Sequence, residues 1–135
     1  QFVTKRAREQ CEYCQTQLRV VIELQVDHII PTSKGGKTTE VNLCLACSSC
    51  NLAKGAFLDG YDKEVDSEVP LFNPRAHEWS EHFKWDDTDT IIIGLTSIGR
   101  VTVARLDINR DRAVRARKLW KQAGWHPPKT NISEE

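Results

Sequence analysis

Two close pairs of cysteines, Cys11 and Cys14 in CEYC and Cys47 and Cys50 in CSSC, constrain this chain more than any other feature. Each Cys-x-x-Cys turns tightly enough to aim two sulfurs at one point. Two such pairs separated by 32 residues suit one shared tetrahedral metal site, with zinc the expected ion. A rubredoxin-like iron centre would use the same four ligands. The fifth cysteine, Cys44, is left over and reads as a packed core residue. Pairing within an odd total suits metal binding in a reducing compartment better than a disulfide framework.

A chain of 135 residues fits one compact domain with extensions, short enough that a metal staple would contribute substantially to its stability. The absence of Met and the initial Gln read as a trimmed piece, with several residues expected to precede it. No apolar run approaches the roughly 20 residues of a membrane span, and QFVTKRAREQ lacks the apolar core of a secretory leader. A soluble cytoplasmic protein without a membrane partner is the expectation.

The formal net charge is zero, so the distribution of charge carries the information. Residues 57 to 90 hold ten acidic side chains against three basic ones, and that segment should avoid phosphates. Residues 98 to 121 hold eight basic side chains against two acidic ones. Arg110, Arg112, Arg115 and Lys118 in this stretch are the expected contacts to a polyanion, with the solvated face of an ordinary helix as the alternative.

KRAREQ leads into the first cysteine pair, whose turn should present backbone amides to the sulfurs. LRVVIELQVDHII is rich in β-branched residues and bounded by a Pro31–Gly36 turn, so it reads as a strand with Asp27 and His28 near its end. A polar loop with Gly35 and Gly36 follows, then a short apolar return, VNLCLAC. The second cysteine pair runs into a helix that Ser48 or Ser49 would cap, with Asn51 and Lys54 on one face. From Gly60 to Thr90 no clean periodicity appears. One short helix around Glu78 to Phe83 is expected, with Phe72, Trp79, Phe83 and Trp85 as anchors on the domain. A β-branched run at 90 to 93, a helix from about 97 to 107 and a second over 111 to 123, stopped by Gly124, complete the chain before a frayed KTNISEE.

An Asp-His step alone is weak, because His is often a hydrogen-bonded structural residue and Asp a turn residue. Its setting is stronger: the cysteine pairs bracket it, Asn42 lies fourteen residues after His28, and Asn51 directly follows Cys50. Together these supply the oxygen and imidazole groups that phosphodiester hydrolysis needs. DHIIPTSKGGKTTEVNLCLACSSCNLAKG resembles the motif of the HNH endonucleases, the ββα-metal nucleases, in the subclass where four cysteines flank the catalytic residues. The likeness covers about residues 6 to 55. LFNPR, WSEHFKW, IIIGLTSIGRVTVARL and GWHPP also resemble the C-terminal extension of some bacterial HNH proteins, cyanobacterial ones among them.

The resemblance implies roles. His28 would be the general base that deprotonates water, and must be neutral to act. Asp27 and Asn51 would ligate one divalent cation, Asn42 would orient His28, and Lys54 would contact the phosphate. Many members carry His where this chain has Asn51. The HNH domain of RNA-guided CRISPR nucleases also has Asn there, and losing an imidazole favours magnesium or manganese over transition metals. The expected products are 5′-phosphate and 3′-hydroxyl ends.

The expected architecture is therefore α+β: a ββα-metal, treble-clef-like core stapled by a four-cysteine zinc over residues 1–57, and an acidic wrapping connection over 58–90. A strand and basic helical extension over 91–128 and a tail over 129–135 follow. The expected activity is nicking or weakly specific cleavage of DNA, with a homodimer as one route to a double-strand cut. A non-catalytic zinc module that binds nucleic acid or protein, and an RNA nuclease, are the rival readings.

Overall fold

The computed structural model describes residues 2–18 and 24–128. The N-terminal half of the expected strand, residues 19–23, and the expected tail lie outside the described residues. A short helix that the sequence did not suggest, α1 (Phe2–Arg6), comes first. β1 (Gln25–His28) and β2 (Leu43–Ala46) then form an antiparallel hairpin, with Asp27 opposite Cys44 and His28 opposite Leu43. Helix α2 (Ser48–Lys54) packs on β1 and completes a ββα unit.

The two faces of this hairpin are used differently. Leu43 and Leu45 meet Val3 and Ala7, so α1 covers one face. Cys44 and Ala46 point to the other and join the main core. Alternation along the strand accordingly sends Asp27 toward the α2 side. The helix begins at Cys47, not at a serine: the Cys47 sulfur accepts from the Cys50 amide and serves as the cap. A metal ligand already in place at this position leaves the serine hydroxyls without that task.

The acidic segment holds more regular structure than its sequence suggests. β3 (Asp59–Asp62) and β4 (Ser67–Pro70) form a second hairpin, and α3 (Trp79–His82) leads into β5 (Phe83–Trp85). β5 pairs with β6 (Ile92–Gly94), and α4 (Ser97–Arg105) and α5 (Asp111–Gln122) follow. Thr96 caps α4 by accepting from the Gly99 amide, and Gly124 at φ +83° follows the last turn of α5. Helix α4 lies so close to the end of α3 that a Cβ on Gly99 would sit 2.1 Å from the His82 carbonyl oxygen. No described helix is long and apolar enough to cross a membrane.

Apart from the small cluster under α1, one main core runs from the cysteine turns to the last helices. Tyr13 and the five cysteines are continuous with Phe72, Phe83, Ile92, Val101, Leu106 and Ile108. Trp79 and Trp85 pack on its edge. As expected, the aromatics of the acidic segment are anchors: Trp79 Nε1 donates to the Tyr13 carbonyl at 2.8 Å, and Trp85 Nε1 to Gln15 Oε1 at 3.1 Å.

Candidate active site and metal centre

The metal centre is built by two backbone turns. In the first, the Cys11 amide donates to the Thr16 carbonyl and the Cys14 amide reaches the Cys11 sulfur at 3.5 Å. In the second, the Cys50 amide reaches the Cys47 sulfur at 3.4 Å. All four sulfurs are buried and lie within 4.8 Å of one another. Cys14 and Cys47 Sγ are 3.7 Å apart, close to the about 3.8 Å between sulfurs on a tetrahedral ion with bonds of about 2.3 Å. The amide-to-sulfur bonds favour thiolate, while burial pushes the Cys11 thiol well up. Four buried thiolates need a cation among them, and an all-sulfur tetrahedron fits zinc.

Cys44 stands apart from this set. Its sulfur donates to the Tyr13 hydroxyl at 3.6 Å, and burial pushes its thiol up to about 12. It is an inert core residue, as its position in the sequence suggested.

Where α2 faces β1, Asp27, Asn51 and Lys54 come together, with His28 next along the strand. The Asn51 amide is wedged between two residues of β1. One terminal atom lies 2.7 Å from Gln25 Oε1, and the other lies 3.1 Å from each Asp27 carboxylate oxygen. With its nitrogen on Gln25, Asn51 presents an oxygen beside the Asp27 carboxylate; turned over, it donates to both carboxylate oxygens. The first orientation draws three oxygens together without a proton between them, which a cation would relieve. Adjacent oxygens on an octahedral magnesium ion, with bonds of about 2.1 Å, are about 3 Å apart. In that orientation the donor set fits a hard divalent ion; in the other, the amide nitrogen itself satisfies both carboxylate oxygens. Burial pushes the Asp27 carboxyl up, and Lys54 opposes that shift.

Lys54 shares its helical face with Asn51, as the spacing suggested, but it does not reach into solvent. It is 2 % exposed, and its Nζ donates to the Ile29 carbonyl at 2.8 Å. Burial pulls its ammonium below the usual lysine range, with Asp27 opposing. In this position it braces the backbone just after His28 and supplies positive charge behind Asp27.

Asn42 is buried at the end of the loop that follows β1. Its Oδ1 accepts from the Ile30 amide at 2.9 Å, while its Nδ2 donates to the Ile30 and Lys37 carbonyls at 3.0 and 2.9 Å. The half-buried His28 ring meets Thr38 Oγ1 through Nε2 at 2.8 Å. Thr38 is the residue that sequence reading missed. Its position in the Gly-rich loop was visible, but its approach to His28 depends on the loop's path.

The basic stretch divides. Arg112, Arg115 and Lys118 are exposed on α5, whereas Arg110 is half-buried and bonds the Asp107 carbonyl. Arg117 is buried, donating to the Thr90 and Ile108 carbonyls, and Lys121 pairs with Asp89. Those two are anchors of the extension and not part of a free basic surface.

Residues 11–57 match the family model described as HNH endonuclease. No curated protein and no solved structure matches the chain. The matched span takes in both cysteine turns, Asp27, His28, Asn42, Asn51 and Lys54, and stops before the extension. Its buried cysteine tetrad is typical of the zinc-binding members. Residues 11–57 are accordingly an HNH endonuclease domain.

Proposed function

We propose that this domain hydrolyses DNA phosphodiester bonds, with His28 as general base and Asp27 and Asn51 holding one divalent cation, magnesium or manganese. The observation that carries this reading is the convergence of the Asn51 amide on both Asp27 oxygens at 3.1 Å, one residue from His28. When bound, the cation would neutralise charge on the phosphate and stabilise the departing 3′ oxygen. His28 takes the proton of the water that attacks phosphorus, in line with the leaving oxygen. Asn42 fixes the backbone on both sides of the loop after His28, and Lys54 holds the Ile29 carbonyl. Breakage of the bond to the 3′ oxygen leaves 5′-phosphate and 3′-hydroxyl ends. Exposed Arg112, Arg115 and Lys118, with Arg110 at the head of the helix, supply sequence-independent attraction to the phosphate backbone.

One such centre per chain makes a single-strand nick the elementary event, and a cut through both strands would take two chains. The test is conversion of supercoiled plasmid to the open circle with magnesium, comparing the parent chain with His28→Ala. Loss of about a hundredfold or more in the variant, with zinc content unchanged, is the expected result. Equal nicking by both proteins, or none by either, would overturn the assignment in favour of a non-catalytic zinc module. RNA and single-stranded DNA in parallel reactions establish the substrate; faster cleavage of RNA would replace the DNA reading.

A further inference from the structure

We propose that Thr38 is the positioning residue for His28: its hydroxyl oxygen accepts from Nε2 and leaves Nδ1 unprotonated as the atom that takes the proton of water. The inference rests on the proposed role of His28 as base and adds the residue that selects which ring nitrogen works. Its foundation is the 2.8 Å contact between Thr38 Oγ1 and His28 Nε2.

Ten residues separate the two, so the contact needs a loop with a fixed path, and three features fix it. The Pro31 carbonyl accepts from the Lys34 and Gly36 amides at 2.9 and 3.0 Å, and Gly35 turns at φ +89°. Gly36 then runs against the strand end so closely that a Cβ there would lie 1.7 Å from the Ile30 carbonyl oxygen, which no side chain tolerates. Finally, Asn42 bonds both carbonyls that flank the loop, those of Ile30 and Lys37. The residue after Lys37 is Thr38, and its hydroxyl lands on the ring. Asn42 thus acts on His28 through the loop backbone and Thr38.

A neutral imidazole carries one proton, and the group bonded to one ring nitrogen decides which nitrogen keeps it. A threonine hydroxyl can donate or accept, so the contact by itself fits either tautomer. The arrangement in which the oxygen accepts is the one that leaves the Nδ1 lone pair free and needs no rearrangement when the ring is protonated. When Nδ1 takes the proton from water the ring carries two N–H groups, and the Thr38 oxygen still accepts from Nε2. Valine at this position keeps the shape and removes the acceptor. The loop bonds to Pro31, Ile30 and Lys37 do not involve the Thr38 side chain, so the path should survive the change.

The experiment uses the zinc-loaded full chain labelled with 15N, without magnesium, at a pH where histidine rings are neutral. Long-range proton–nitrogen spectra read the His28 tautomer, with His28→Ala assigning the signals. The parent and Thr38→Ser should show Nε2 protonated and Nδ1 bare, and Thr38→Val should show mixed tautomers. Plasmid nicking should fall about tenfold or more in Thr38→Val, mainly in kcat, and return to near the parent rate in Thr38→Ser. An Nδ1–H ring in the parent, or a Thr38→Val protein with the parent's tautomer and rate, would overturn the proposal and leave the nuclease reading standing. The expected spectra in a parent that cleaves no nucleic acid would do the reverse: the hold of Thr38 on the ring would stand, and the role of His28 as base would fall.

Discussion

Lys54 shows how much a single side chain's role depends on where its charge ends up. From the sequence it is a basic residue three positions after Asn51, placed to meet a phosphate. In the fold it is enclosed, and its ammonium is spent on the Ile29 carbonyl at 2.8 Å. Burial disfavours the charged forms of both Lys54 and Asp27, and each moderates the shift of the other. Replacing Lys54 by Met keeps the length and removes the donor and the charge. The expected cost is about 1–3 kcal/mol, since a carbonyl near the active site loses its partner and Asp27 its nearest cation. Nicking should fall with it, because the Ile29 carbonyl belongs to the residue next to His28. Urea unfolding of the zinc-loaded protein together with DNA affinity decides the matter. Unchanged stability with weakened DNA binding would restore the phosphate-contact role.

At the scale of elements, legibility followed the kind of residue that faces inward. α4 and α5 were readable because Thr96 caps one and Gly124 ends the other. The β3–β4 hairpin was not, because the inward positions of β3 are Gly60 and Asp62 and show no apolar alternation. Asp62 is buried only because Arg100 of α4 donates to it at 2.8 Å, a pairing that no local pattern announces. The ββα unit was readable through its cysteines and its Asp-His step, while the path that brings Thr38 to His28 hangs on Gly36 and Asn42. Helix α5 illustrates both sides. Its charge was plain, but Arg117 and Lys121 turn inward or sideways, which leaves Arg112, Arg115 and Lys118 together on one exposed side. Each phosphate contact contributes about 0.9 to the slope of log affinity against log salt on duplex DNA. Replacing all three by Ala in a His28→Ala background should therefore flatten that slope by up to about 2.7. Anisotropy titrations over a range of salt read it, and parallel slopes would remove α5 from the DNA interface.

The molecule as a whole is organised around the cysteine tetrad, so the extension is expected to depend on a metal it does not ligate. The residues flanking Cys14 supply the seats for the extension's aromatics: Trp79 bonds the Tyr13 carbonyl, Trp85 bonds Gln15, and Phe72 meets the Tyr13 ring edge-on. Arg117 of α5 is buried within electrostatic reach of Cys14, Cys47 and Cys50, with its guanidinium carbon 5.4 Å from the Trp85 ring centre. A zinc ion with four thiolates carries a net double negative charge, which that guanidinium partly balances. Removing zinc leaves four buried sulfurs that must take up protons and can no longer hold the two turns together. Chelation of the zinc-loaded chain should then loosen the turn at Cys11–Cys14 and release Trp79 and Trp85 with it. Tryptophan emission should shift to the red and the near-ultraviolet circular dichroism collapse as zinc leaves, with nicking lost in the same transition. Cys14→Ser should resemble the chelated protein, and returning one equivalent of zinc to the parent should reverse the change. If the tryptophans keep their environment while zinc departs, the extension stands on its own packing, and the ββα unit alone depends on the metal.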